Sequence, residues 1–289
     1  MTLRKFKRFW TGLFDRSHNT VYVNENATCQ IAPSASMRDS LVRINGESSL
    51  VVGEGVTIRN TSFQIDAQSK VIVESGASLD NVDICVWNHS LLVVGKDDRV
   101  AGVNFVVEKG KVQIAHDNYI SNGNRADKPS VIVSDGTLAV GDHNNLKNSF
   151  WIRFGGKVSI GKYNCINEGS EIRCDESVAI GSYNMISYQC DIWDTNTHCD
   201  YSFEAKKEMY EKDFPRIGLE RKKPKTKPIA IGNANWIGKY ACVLKGSQIG
   251  NEVTIGTRAI VSNVTVEDGM MVVSPKGEAK KPVVNKVGV

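Results

Sequence analysis

Aliphatic residues recur at every sixth position near the C-terminal end of the chain. They are Ile231, Ile237, Val243, Ile249, Ile255 and Val261. An α-helix repeats apolar residues every 3.6 positions and an open strand every 2, so neither fits this spacing. A period of six predicts triangular coils, in which each side is a short strand with an aliphatic residue pointing inward. Glycine follows the aliphatic at Gly232, Gly238, Gly250 and Gly256. We expect these glycines to supply the unusual backbone angles of the corners.

The same pattern continues in phase toward the N-terminus. Equivalent corners one coil apart are headed by Val140, Ile160 and Ile180. Further upstream the coils lengthen slightly, and they are headed by Val52, Val73 and Val94. The repeat therefore predicts an all-β solenoid over residues 31–273, with roughly nine triangular coils at the spacing of neighbouring strands.

Three segments differ from the repeat. Residues 1–30 form an N-terminal unit in which residues 3–14 combine helical apolar spacing with lysines and arginines. This basic amphipathic helix either caps the open end of the solenoid or lies on an anionic membrane surface. Residues 195–228 interrupt the coils as a long, lysine-rich excursion, and a loop of that length is typically functional. Residues 274–289 form a tail.

Composition narrows the class of protein without identifying a site. Hydrophobic residues make up 41% and charged residues 24% of the 289 residues, as in ordinary soluble proteins. The formal charge of +4 does not call for a nucleic-acid partner. Seven scattered cysteines and the lack of a secretory or membrane-spanning apolar run indicate reduced thiols in a cytoplasm.

One histidine stands in an informative context. His198 ends the stretch Asp194-Thr195-Asn196-Thr197-His198, where the chain leaves the Ile180 coil. The chain then returns through the segment 231–238, which reads I-G-N-A-N-W-I-G. The other histidines have no neighbouring pattern that indicates a site, so we expect them on the surface or in packing contacts. They are His18, His89, His116 and His143.

The paired motifs Thr197-His198 and Ile231 to Gly238 resemble those of hexapeptide-repeat acyltransferases, in the galactoside, maltose and polysaccharide O-acetyltransferase group. The resemblance covers residues 140–273 well and residues 45–120 as a loose repeat. It implies a left-handed parallel β-helix, an exception to the usual right-handed crossover. It also implies acetyl-CoA as co-substrate, no metal, His198 as the catalytic base, and Trp236 beside the pantetheine arm.

Further site residues follow from the same resemblance. Asn167 and Asp175 take the places of the family's acceptor-pocket asparagine and aspartate, and Asp194 is a third candidate for acceptor binding. Positions expected to contact the coenzyme, besides Trp236, are Lys239, Thr257, Ser262 and Lys280. The family's site is a groove between the prisms of a homotrimer, so we expect a homotrimer here.

The acceptor implied is a sugar, a nucleotide sugar or a lipid-linked glycan of surface-polysaccharide biosynthesis, modified at a hydroxyl or an amine. We expect a cytoplasmic enzyme, with peripheral contact at the inner face of the membrane through residues 3–14 if that helix is not a cap. Two alternatives remain open: a small non-sugar acceptor, and a non-catalytic β-helix scaffold or subunit. A metal-dependent hydratase of the γ-carbonic anhydrase type is disfavoured, because the chain has no H-x-x-x-x-H pair.

Overall fold

The computed structural model describes residues 18–123 and 125–274. The predicted helix at 3–14, Lys280 and the tail from residue 275 lie outside the described residues. The described chain winds through three parallel sheets, so the predicted parallel β-solenoid is confirmed. The first sheet contains β1 Thr20–Val23, β4 Leu41–Ile44, β7 Ser62–Ile65, β10 Asp83–Trp87, β13 Asn104–Glu108, β16 Ser130–Val133, β19 Ser149–Ile152, β22 Glu171–Cys174, β25 Asp191–Trp193, β28 Cys242–Leu244 and β31 Ile260–Ser262.

The other two sheets repeat the same arrangement. The second sheet contains β2 Thr28–Ile31, β5 Ser49–Val52, β8 Lys70–Val73, β11 Leu91–Val94, β14 Gly110–Ile114, β17 Gly136–Val140, β20 Gly156–Ile160, β23 Ser177–Ile180, β26 Ile229–Ile231, β29 Gln248–Ile249 and β32 Thr265–Val266. The third contains β3 Ser36–Arg38, β6 Thr57–Arg59, β9 Ser78–Asp80, β12 Arg99–Ala101, β15 Tyr119–Ser121, β18 Asn145–Leu146, β21 Cys165–Ile166, β24 Met185–Ile186, β27 Trp236–Ile237, β30 Thr254–Ile255 and β33 Met271–Val272.

Three corners connect the sheets in every coil. The first corner joins the first sheet to the second, the second corner joins the second to the third, and the third corner leads into the next coil. Each sheet has eleven strands within the described residues, so the expected nine coils were too few. The solenoid begins at Thr20, inside the segment 1–30 that was assigned to the helix and its cap. The inward residues of this end coil, such as Val21 and Cys29, are only half-buried, and its repeat is correspondingly weak in the sequence.

The hexapeptide aliphatics form the core of the prism. From Ile231 to Val261 their exposed fractions lie between 0% and 4%. Parallel register stacks each of them on its equivalent in the next coil, as Ile231 pairs with Ile249 and Ile237 with Ile255. Each buried aliphatic contributes about 1.5–3 kcal/mol relative to an exposed one. The period of six is therefore the period of one continuous hydrophobic core.

The glycines behind these aliphatics serve a purpose different from the one we expected. Gly232 and Gly250 are not among the residues with positive φ; the left-handed residues are Ala234 and Glu252, two positions further on. A Cβ at Gly232 would lie 2.5 Å from the carbonyl oxygen of Gly250 in the next coil. The expectation of special backbone angles at these glycines was wrong, because close approach between coils is what requires glycine.

A ladder of buried amides fixes the second corner. Asn144 Oδ1 accepts from the backbone N–H of Asn164 at 2.9 Å, and Asn164 Oδ1 accepts from Asn184 at 3.0 Å. Asn118 precedes this series and Asp98 begins it, with its Oδ1 accepting from the N–H of Asn118 at 2.7 Å. The ladder satisfies backbone donors that the corner turns away from the sheets.

The excursion leaves the solenoid after β25 and returns at β26. It contains the helix α1, Phe203–Asp213, which is capped by Ser202 and has no buried residues. Its two ends are held together, because Asn196 donates its N–H to Lys225 O at 3.0 Å and Lys227 donates to Asp194 O at 2.9 Å. Among the described residues, no helix is both long and apolar enough to span a membrane.

Candidate active site

The first corner of the coil that contains β22 is organised by a buried carboxylate. Asp194 is fully buried, and its Oδ1 accepts from the N–H of Asp175 at 2.8 Å. Its Oδ2 accepts from the N–H groups of Glu176 at 2.8 Å and Ser177 at 2.6 Å. Burial raises the pKa of Asp194 in spite of these hydrogen bonds. These contacts give Asp194 a structural role, and its predicted contact with an acceptor stays a prediction.

Asp175 lies beside it and forms a buried ion pair. Its carboxylate accepts from Arg153 through Nε at 3.0 Å and Nη2 at 2.8 Å. Thr195 Oγ1 donates to Asp175 Oδ2 at 2.7 Å and accepts from the N–H of Thr197 at 3.0 Å. Arg153 also donates to the carbonyl oxygen of Thr197 at 3.2 Å. This network anchors the backbone immediately before His198, so it determines where the excursion starts.

The side chain of His198 projects outward from this anchored backbone segment. Its side chain is 60% exposed, and its Nδ1 lies 3.8 Å from Oε2 of Glu220, whose side chain is 1% exposed. The distance is that of an electrostatic contact. A carboxylate on the Nδ1 side favours the imidazole tautomer that keeps Nε2 free to accept a proton. The pair therefore has the arrangement of a general base with a carboxylate that orients it.

Glu220 is held by several donors from the excursion. Tyr201 Oη donates to Glu220 Oε1 at 2.6 Å, and the N–H groups of Cys199 and Lys222 donate at 2.8 Å and 3.1 Å. Burial opposes ionisation, but these hydrogen bonds hold the pKa of Glu220 below its ordinary value. It is therefore charged at neutral pH. Sequence reasoning missed Glu220, because nothing in the excursion distinguishes it from the neighbouring charged residues before the chain folds back.

The predicted coenzyme residues lie on another side of the prism. Trp236 is in β27 of the third sheet, with 57% of its surface exposed, and it pairs with Thr254 of the next coil. Lys239 follows at the third corner, with its Nζ 4.8 Å above the ring of Tyr240. Thr257 occupies the equivalent corner one coil further on, where its carbonyl oxygen accepts from Ser274 Oγ at 2.9 Å. These exposed groups line one stretch of the C-terminal coils.

Two other predicted residues lie apart from this stretch. Ser262 ends β31 in the first sheet, beside the first corner, and is exposed. Asn167 is half-buried at the third corner, and its Nδ2 donates to Ile186 O at 3.3 Å. It therefore does not share a corner with Asp175, although both were predicted to bind the acceptor. Lys280 lies outside the described residues.

The structure thus divides the predicted residues into two groups. His198, Asp175 and Asp194 belong to the first corner, whereas Trp236, Lys239, Thr257 and Asn167 belong to the third sheet and third corner. In a triangular cross-section the first corner is opposite the third sheet, so the hydrophobic core lies between His198 and Trp236. Residues of both groups meet in one groove only if two copies of the chain contribute to it.

No protein-family model matches the chain, and no curated protein matches it. Among solved structures, the polySia-specific acetyltransferase NeuO is similar over 88% of this chain and 76% of its own, at 14% identity and a TM-score of 0.39. A hexapeptide-repeat acetyltransferase from Vibrio cholerae O1 biovar eltor, complexed with acetyl coenzyme A, is similar over 45% of this chain and 63% of its own, at 19% identity and a TM-score of 0.34.

The polysialic acid O-acetyltransferase OatWY is similar over 88% of this chain and 91% of its own, at 15% identity and a TM-score of 0.27.

Proposed function

We propose that this hexapeptide-repeat β-solenoid is an acetyl-CoA-dependent acetyltransferase that modifies a sugar hydroxyl or amine, with His198 as general base. The observation that carries the proposal is the exposed imidazole at the first corner, whose Nδ1 faces the buried, ionised carboxylate of Glu220. A second support is the resemblance of Thr197-His198 and the segment 231–238 to the acyltransferase motifs.

The reaction needs only one protein base. His198 Nε2 accepts the proton of the acceptor hydroxyl or amine as the acceptor atom attacks the thioester carbonyl carbon. The carbon–sulfur bond then breaks, and the proton passes from the imidazolium to the departing thiolate to give free coenzyme A. Glu220 touches no reacting atom; it is a positioning residue that stabilises the imidazolium formed between the two steps. No resident metal enters this scheme.

The site is completed by a second copy of the chain in this proposal. Trp236, on the third sheet, packs on the pantetheine arm in a groove whose other wall carries His198 of the neighbouring copy. In the same proposal the corner residues Lys239 and Thr257 contact the rest of the coenzyme, and Asn167 contacts the acceptor. A cyclic trimer supplies this groove three times with equivalent contacts, because a rotation that closes repeats one heterologous interface.

The acceptor is inferred from the character of the excursion. Arg221, Lys222, Lys223 and Lys225 are exposed beside the His198–Glu220 pair. Two of these cations have acidic partners already: Arg221 lies 2.9 Å from Asp213, and Lys225 lies 3.7 Å from Asp200. Lys222 and Lys223 add positive charge next to the base, which suits an acidic or phosphate-linked glycan. Action at the inner face of the membrane, through residues 3–14, belongs to the same proposal.

The direct test is release of coenzyme A from acetyl-CoA, measured with the wild type and His198→Asn against nucleotide sugars and acidic oligosaccharides. We expect the variant to bind acetyl-CoA and to assemble normally, because His198 lies outside the repeat. Loss of the general base lowers turnover by about 10²–10⁴-fold. Turnover within a few-fold of the wild type would remove His198 from the mechanism. Failure of the wild type to bind acetyl-CoA would favour the non-catalytic scaffold.

A further inference from the structure

A cluster of side chains lies at the second corner, in the coils of β14 and β17, four and three coils before the coil that carries β26. His116 follows β14, and Asp142 and His143 follow β17 in the next coil. Nε2 of His116 is 3.3 Å from Oδ1 of Asp142. One ligand-type atom from each of the three residues lies within 4.8 Å of those of the other two. Two imidazoles and a carboxylate from adjacent coils thus converge on one point.

A fourth residue orients the first imidazole. Nδ1 of His116 is 2.8 Å from Oδ2 of Asp117, so Asp117 accepts a hydrogen bond when Nδ1 carries the proton. That tautomer leaves a lone pair on Nε2, the nitrogen that lies 3.3 Å from Oδ1 of Asp142. A carboxylate that accepts from the far nitrogen of a histidine is the usual outer partner of a metal-bound imidazole.

The second imidazole is also held in place. The ring of His143 stacks on Tyr163 with centroids 4.7 Å apart and planes inclined by 24°, and Tyr163 stacks on Tyr183 at 5.2 Å. The edge contact between His143 and His116 places their centroids 5.5 Å apart. Stacking fixes the χ angles of His143 before any ligand arrives. The entropy lost on binding is therefore reduced.

We propose that His116, Asp142 and His143 bind a divalent transition-metal ion, with Asp117 as the residue that orients His116. Imidazole nitrogen and carboxylate oxygen suit Zn²⁺, and also Co²⁺, Ni²⁺ and Cu²⁺. Tetrahedral bonds of about 2.0–2.1 Å place neighbouring ligand atoms about 3.3–3.4 Å apart. The 3.3 Å between His116 Nε2 and Asp142 Oδ1 already matches one edge of that tetrahedron. Three protein ligands leave the fourth position to water.

The site goes beyond the proposed acetyl transfer, for which the sequence indicated no metal. It links the coils of β14 and β17, between which the chain makes the detour from β15 to β16. The ion would bridge the two coils between which the regular repeat is interrupted. Binding to the folded state alone raises stability with metal concentration, so the effect is measurable without any assay of enzyme activity.

Titration calorimetry of ZnCl₂ into the full-length protein, after removal of metal with EDTA, tests the site. We expect one ion per chain in the wild type and binding at least about tenfold weaker in His143→Asn and His116→Ala. Asp117→Asn should weaken binding by about 10–100-fold, as for other outer partners. The matched control is His89→Asn, because His89 is also an exposed corner histidine with positive φ, 63° against 59° at His143.

Thermal melting provides a second measurement. Zn²⁺ should raise the Tm of the wild type and of His89→Asn but not that of His143→Asn, and lower pH should reduce the shift because protons compete for the imidazoles. The proposal is overturned if the wild type binds no Zn²⁺, or if His143→Asn and His116→Ala bind it as the wild type does. A thiolate charge-transfer band in the Co²⁺ spectrum would also overturn it, because the ion would then be on a cysteine.

Discussion

Glu220→Gln removes the negative charge that faces His198 while keeping the size of the side chain. In the wild type the two groups are 3.8 Å apart, with Glu220 buried and His198 60% exposed. The carboxylate interacts with the imidazolium that forms during the reaction, and only weakly with the neutral imidazole of the resting enzyme. Removing the charge should therefore lower kcat and leave the KM for acetyl-CoA close to its wild-type value.

The magnitude follows from the separation and the exposure. Two unit charges about 4 Å apart interact by about 4 kcal/mol at an effective dielectric constant of about 20, and by about 1 kcal/mol in water. Because most of the His198 side chain is exposed, solvent screening places the pair toward the lower value. We expect the activation free energy to rise by about 1–2 kcal/mol, which lowers kcat by about 5–30-fold.

The assay is steady-state release of coenzyme A with saturating acceptor, and its control is Tyr201→Phe. This variant removes the hydrogen bond that Tyr201 donates to Glu220 at 2.6 Å but keeps the carboxylate. Any effect that arises from loosening the excursion should appear in both variants. An effect of the charge should appear in Glu220→Gln alone.

A double-mutant cycle separates positioning from general damage. In a His198→Asn background no imidazolium forms, so adding Glu220→Gln should change the residual rate by less than about twofold. The reasoning is refuted if Glu220→Gln keeps the wild-type kcat. It is equally refuted if the two substitutions lower the rate independently, because Glu220 would then act through something other than His198.

Three further predictions concern the coenzyme, the assembly and stability. Trp236→Ala should weaken acetyl-CoA binding by about tenfold or more, because the exposed indole is expected to pack on the ligand. The Tm should not change, because the indole lies outside the core. Unchanged affinity in a binding titration would exclude this contact. Light scattering should give about three times 31.8 kDa, and a monomer that turns over acetyl-CoA would contradict the shared groove. Burial raises the pKa of Asp98 from 3.8 to about 6. Between these two pH values the folded state holds a proton that the unfolded state has lost. The free energy of unfolding therefore falls as the pH rises from 3.8 to about 6. Melting curves should show this fall in the wild type and not in Asp98→Asn, which extends the asparagine ladder; a fall that persists in the variant would assign the titration to another group.

The spacing of aliphatic residues along the chain is enough to predict the solenoid and the segment that leaves it. Six-residue spacing of aliphatics specifies one inward residue per side, and every member from Ile231 to Val261 is buried as that spacing requires. The same spacing also located the excursion that begins after β25 and carries His198. These features are local, because each strand and turn is encoded within a few residues.

The number of coils was predicted less accurately from the sequence. The coil that starts at Thr20 was missed because its inward residues are only half-buried at the open end of the prism. Half-burial relaxes the demand for a large aliphatic at each inward position, so the pattern weakens where the solenoid ends.

Contacts between side chains of different coils are seen only in the folded chain. Glycine at Gly232 is required by the backbone of the next coil, and not by its own φ. Asp194 accepts hydrogen bonds from three backbone N–H groups at a corner of the preceding coil. No local sequence motif predicts these contacts.

The proposed active site and the proposed metal site both depend on contacts between residues that are distant in the sequence. Glu220 reaches His198 only after the excursion folds back on itself. His116 lies beside Asp142 and His143, although Asp142 is 26 positions away in the sequence, because the detour between β15 and β16 lengthens the intervening stretch of chain. A periodic sequence specifies the distance between neighbouring coils, but an insertion changes which residues become neighbours. The chemistry carried by such neighbours is therefore fixed only when the chain has folded.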